Sequence, residues 1–161
     1  MPLFLYFIEV QKGVMAYSLI LKTTVQVVKN SDLNGITYNF RTQRLYWCSN
    51  STIFRAQLKN GSYVADVQTL YTITTSICNE SSVLVTGLDD LEIIGACTSS
   101  LFAVGPIYGL AFDWITNNLY GVSQGGHIFA CKETSNGTFD CYTLRDDQGN
   151  VNGIAINPNE G

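Results

Sequence analysis

The stretch "YGLAFDWITNNLYG", Tyr108 to Gly121, decides how this chain is read. A glycine opens a short alternating run, a carboxylate stands beside Trp114, a polar turn follows, and "LY" resumes. Asp113 is then either an acid beside an aromatic subsite or one position of a structural repeat. Alternation places Leu110 and Phe112 on one face of a strand and Ala111 and Asp113 on the other. Sister stretches occur on both sides: "GITYNF" from Gly35 and "GIAINP" from Gly153. "LY" follows ten residues after Gly35 and ten after Gly109, and Gly109 to Gly153 spans 44. An earlier "LY", Leu5-Tyr6, lies forty residues before Leu45. A third element trails each "LY": "VMAYSL" at Val14, "IFRAQL" at Ile53 and "IFACKE" at Ile128.

Each unit reads as four short strands with tight connections. The residue before the first turn is always Asn39, Asp113 or Asn157, a short acceptor that can take backbone amides two residues on. Glycosidase chemistry needs a second carboxylate at a defined distance, and an asparagine cannot act as the acid. Asp113 is therefore read as a turn residue. Four strands in about 40–45 residues is the mark of a β-propeller blade.

"GLAFDWITNNLY" resembles the core of the YWTD repeat, the class B repeat of low-density lipoprotein receptors. "GIAINPNEG" resembles the opening of the next repeat, and "LNGITYNFRTQRLYWCSNSTIFRAQL" an earlier one. The positions carrying the resemblance are Gly35, Asn39, Tyr46, Trp47, Gly109, Asp113, Trp114, Tyr120, Gly153 and Asn157. The tetrad reads Tyr46-Trp47-Cys48-Ser49 in one copy and Tyr120-Gly121-Val122-Ser123 in another, with Tyr6-Phe7-Ile8-Glu9 as the N-terminal counterpart. None keeps the Thr-Asp ending of the family.

The resemblance implies an all-β chain, a partial propeller of the six-bladed type built from four-stranded antiparallel blades. Its units are a partial one at 3–29, a blade at 33–104 with an insert around 70–106, a regular blade at 108–152, and the first strand of another at 153–161. The insert is either an added hairpin or a degenerate extra blade. The whole of 1–161 is then expected to be part of a longer protein. The implied role is a non-catalytic extracellular interaction or scaffold module of an endocytic or signalling receptor. Protein ligands, lipoproteins among them, and flanking EGF-like modules are the implied partners, in the ectodomain of a membrane-anchored receptor. The alternative is a secreted metal-dependent propeller hydrolase or lactonase, whose metal would draw Glu, Asn and Asp from several blades.

Composition bounds the rest. The chain has 161 residues, 46% hydrophobic, 12% aromatic and 14% charged, which excludes disorder as the default. A net charge of -4 without a Lys/Arg block argues against a nucleic-acid partner. No run nears the ~18 apolar residues that span a bilayer, so no direct membrane insertion is expected. "MPLFLYFIEVQKGVMAYSLIL" lacks a basic start, is interrupted by Glu9 and has no small-x-small site, which argues against a signal peptide.

Five cysteines show no zinc spacing. Cys131 and Cys141 flank the hairpin signal Asn136-Gly137 and would face each other across neighbouring strands. Cys78 and Cys97 bracket the insert and are the next pair; small buried thiols are the other reading of all four. Cys48 is the odd one. Sequons at Asn50, Asn60, Asn79 and Asn136 exceed chance and point to the secretory route. Asp89-Asp90 and Glu92 lack the spacing of a calcium loop and read as a solvated turn. His127, the single histidine, starts a strand; a pH role in ligand release is weighed against an ordinary edge residue. No phosphate-cradling, zinc-protease or nucleophile-elbow motif is present, so no cofactor, metal or catalytic residue is assigned.

Overall fold

The computed structural model describes residues 3–72, 106–137, 139–145 and 148–159. Eleven strands are present among them: β1 (Phe4–Glu9), β2 (Gly13–Ser18), β3 (Thr24–Lys29), β4 (Leu33–Asn39), β5 (Arg44–Ser49), β6 (Thr52–Lys59), β7 (Tyr63–Thr72), β8 (Ile107–Asp113), β9 (Asn118–Ser123), β10 (His127–Glu133) and β11 (Phe139–Arg145). They are rich in β-branched and aromatic residues and bounded by Asn, Gly, Ser and Thr turns, as pleated strands should be. Of the insert, residues 73–105, with Cys78, Asn79, Asp89, Asp90, Glu92 and Cys97, lie outside the described residues.

The strands form three antiparallel sheets, β1-β2-β3, β4-β5-β6-β7 and β8-β9-β10-β11. The all-β expectation stands, but the partial propeller of four-stranded blades is corrected. The sheets have 3, 4 and 4 strands, none is closed, and they are layered face on face in a sandwich-like arrangement. The physical reason is that a repeated meander sets which strands pair within a sheet. It does not set how the sheets assemble.

Side-chain alternation along the central strand β5 supplies both inter-sheet cores. Leu45 and Trp47 pack toward the first sheet with Val14, Ala56, Leu58, Tyr6 and Ile8. Tyr46 and Cys48 point the other way and join Leu110, Phe112, Leu119 and Phe129. Tyr46 stacks on Phe112 with ring centroids 4.8 Å apart. Where β4 meets β8 the backbones nearly touch: a Cβ on Gly35 would stand 3.0 Å from the Gly109 Cα. A Cβ on Gly109 would in turn stand 3.1 Å from the Gly153 Cα, so glycine is needed for the approach. Residues 153–157, the start of the 153–161 segment expected as the first strand of another unit, run past Gly109 without pairing into a sheet.

Candidate functional site

Between the first two sheets runs an aromatic groove of about 650 Å³. Leu3, Phe4 and Tyr6 line it from β1 and the residue before it. Tyr38 comes from the end of β4 and Phe40 from the residue just after it, and Gln43, Asn60 and Gly61 from two turns. Alternation on β1 turns Tyr6 inward, where its ring lies 5.1 Å from that of Tyr38. The Tyr6 hydroxyl donates to the Gly61 carbonyl at 2.9 Å. Burial, with Tyr38 beside it, pushes the Tyr6 phenol up to about 12. Phe4 fills the space that Gly61 leaves, since a Cβ there would come 2.3 Å from its ring. The Asn60-Gly61 turn is tight: both residues have positive φ, and the Ser62 N–H donates back to the Lys59 carbonyl. Sequence reading singled out Tyr6 and Asn60 separately and missed Phe4, Tyr38 and Phe40. The groove exists only because two sheets meet, which no local pattern signals.

The other face of the first sheet is open along β1, while Met15 on β2 is buried. Leu5 lies opposite Tyr17 and Phe7 opposite Met15, with Leu5 56% and Phe7 36% exposed. The β2–β3 connection adds Leu19, Ile20 and Leu21, all exposed. Exposed apolar side chains thus stand on β1 and on the β2–β3 connection, while Glu9 and Lys12 pair with each other at the β1–β2 turn.

Asp113 Oδ1 accepts the amides of Ile115 and Thr116, and the Thr116 hydroxyl donates to Oδ2. Burial pushes the carboxyl upward, but these hydrogen bonds and the nearby Arg41 outweigh it and hold the group below its ordinary range. Asn39 takes the amides of Arg41 and Thr42 through its Oδ1, and Asn157 that of Asn159. Three side chains thus do the same job at three turns. Trp114 packs edge-on against Phe40 at 5.3 Å, and its carbonyl accepts from Arg41. Tyr120 pairs with Ala111 and Ala130 in the ladder.

Cys131 and Cys141 sit directly opposite each other on β10 and β11 and are bridged. Cys48 is a free, buried thiol that donates to the carbonyls of Gly35 and Ile107. Burial pushes it up to about 12, so it is neither a thiolate nor a nucleophile at neutral pH. Sequence reading also missed Arg55, which is buried among the second and third sheets. It donates to Glu133, to Gln68 and to the Gly137 carbonyl, tying the β10–β11 hairpin tip to β6. His127 is half-buried opposite Ser123. Asn50, Asn60 and Asn136 are all exposed. Among the described residues, no group of three or more His, Cys, Asp or Glu is placed to hold a metal ion.

No family model and no curated protein matches the chain. A solved structure named as a luciferin-regenerating enzyme is similar, with a TM-score of 0.56 and 15% sequence identity. The match covers 94% of this chain and 44% of that one, so this chain spans less than half the length of its neighbour. At this identity the likeness is one of fold. The neighbour itself is an enzyme by name.

Proposed function

We propose that the chain is a non-catalytic binding module working outside the cell, of the kind found in low-density lipoprotein receptor-like proteins. It takes protein ligands on the open face of the first sheet. The observation that carries this reading is that face itself: Leu5, Phe7, Leu19, Ile20 and Leu21 stay exposed while the opposite side of the same sheet is packed. Contiguous exposed apolar patches on soluble chains are commonly interaction sites. The Cys131–Cys141 bridge supports an oxidising setting.

The test is surface plasmon resonance of the purified chain against immobilised lipoprotein particles and isolated apolipoproteins. Saturable binding that falls at least about tenfold in a Phe7→Ser, Ile20→Ser double variant is the expected outcome, since interface anchors of this kind carry a few kcal/mol. Binding indifferent to both substitutions would sink the assignment. A second reading, a secreted metal-dependent hydrolase or lactonase, is favoured by the likeness to a structure named as an enzyme. Lactone hydrolysis abolished by a chelator would establish it.

A further inference from the structure

We propose that Asn60 carries an N-linked glycan whose first sugars lie in the aromatic groove between the first two sheets. The proposal rests on the extracellular reading above for passage through the secretory pathway. The acceptor is not merely near the groove. Asn60 lines it, next to Gly61 on which the Phe4 ring is seated, and Ser62 completes the sequon in the same turn. The positive φ of Asn60 and Gly61 lifts the acceptor onto the tip of the β6–β7 connection. There it is exposed to a transferase yet beside the rings.

The groove's chemistry fits a sugar. Phe4, Tyr6, Tyr38 and Phe40 offer faces of negative electrostatic potential, which attract the polarised C–H edges of a pyranose ring. Gln43 adds an amide at the rim. A volume of about 650 Å³ falls in the range of pockets that hold small ligands. Phe40 is 55% exposed although it packs on Trp114, so part of its ring is open to cover.

The other described sequons lack this cradle. Asn50 borders a cleft of mixed lining, Val10, Leu33 and Pro106 beside Ser31, Asp32 and Asn34, with Tyr108 as its one aromatic. Asn136 stands at the tip of the β10–β11 hairpin beside Gly137, whose carbonyl Arg55 holds.

The modification is transfer of an oligosaccharide from a lipid-linked diphosphate donor by the host transferase. The bond from Asn60 Nδ2 to the sugar C1 forms, and the C1–O bond to the diphosphate breaks. The lipid diphosphate leaves with the electron pair, and the Nδ2 proton goes to solvent.

The experiment secretes the full chain from cultured animal cells behind a cleavable signal and maps glycopeptides by mass spectrometry. Native peptide N-glycosidase release is then timed separately at Asn60 and Asn136. Occupied Asn60 is expected, with release about fivefold slower than at Asn136, the factor that one ring-stacking contact supplies. Phe40→Ala should bring the two rates together. A bare Asn60 with glycan on Asn50 or Asn136 overturns the proposal and leaves the extracellular reading intact. Glycan on none of them overturns the proposal, and the extracellular reading then stands or falls on the binding experiment above. Equal release rates unaffected by Phe40→Ala, and equally by Phe4→Ala, overturn the seating of the sugar in the groove.

Discussion

The second and third sheets carry the same ladder on different side chains. Gly35 faces Cys48 as Gly109 faces Val122, each just after a register shift, and Asn39 faces Arg44 as Asp113 faces Asn118. Trp47 faces Phe54 where Gly121 faces Phe129. In the second sheet the two rings stack, with centroids 5.7 Å apart. In the third, the phenyl ring of Phe129 lies over the bare glycine, where a Cβ would stand 2.2 Å from Cζ. Arg55 of the second sheet matches Ala130 of the third, and Ala56 matches Cys131. The backbone frame is thus common property, while each sheet's neighbour decides what fills it. Trp47 has the first sheet to pack against, whereas Phe129 is already turned into the core shared with Tyr46 and Phe112.

Exchanging the members of that pair is the harshest way to break the comparison. Trp47→Ala removes a 3%-exposed indole and should cost about 3–5 kcal/mol, the range for emptying an aromatic site in a core. Gly121→Trp should also destabilise, by about 1–3 kcal/mol or more, because even a Cβ there would meet the Phe129 ring at 2.2 Å. Urea unfolding followed by circular dichroism measures both. If Gly121→Trp left the midpoint unchanged, the ring of Phe129 would not be seated on that glycine.

The second exchange concerns the bridge that only the third sheet has. A Cys131→Ala, Cys141→Ala double variant reopens a loop with a sequence separation of 10, which should lower stability by about 2–3 kcal/mol. Wild type in reductant should fall by the same amount, and the double variant should then be insensitive to reductant. Cys48 is buried with its thiol held by two carbonyls, so it should not react with an alkylating reagent until the chain unfolds. Thiol counting in native and denatured samples checks this.

What could be read beforehand was local. Matched ten-residue spacings from Gly35 and Gly109 to the following "LY" put the strands of each sheet in order, because turn chemistry and period-two alternation are written in neighbouring residues. Cys131 and Cys141 around Asn136-Gly137 were likewise close enough in sequence to place across a hairpin. The assembly of the sheets was not legible. Layering depends on which face of β5 meets which neighbour, and Leu45-Tyr46-Trp47-Cys48 is apolar on both faces. Arg55 was invisible for a related reason: its partners Glu133 and Gly137 lie 78 and 82 residues away. The groove residues Phe4, Tyr38 and Phe40 look, one at a time, like any aromatic of a strand.

The mildest exchange is the most discriminating for the stretch around Asp113. Asn39 does the same work in the second sheet with an amide oxygen, so Asp113→Asn keeps the acceptor for the Ile115 and Thr116 amides. It should cost under about 1 kcal/mol at pH 7, mainly by weakening charge-assisted hydrogen bonds. Asp113→Leu leaves those amides without an acceptor and should cost about 1–2 kcal/mol, as loss of a comparable helix-cap acceptor does. The pH dependence separates charge from shape. The folded carboxyl titrates below its ordinary value, so its contribution is fully present above the unfolded value of about 3.9 and is lost as pH falls through the folded one. Wild type should therefore exceed Asp113→Asn by a constant margin at neutral pH, with the gap closing only below about pH 4. A margin that persisted unchanged into strong acid would mean that the carboxylate's charge contributes nothing, and that only the shape of the turn residue matters.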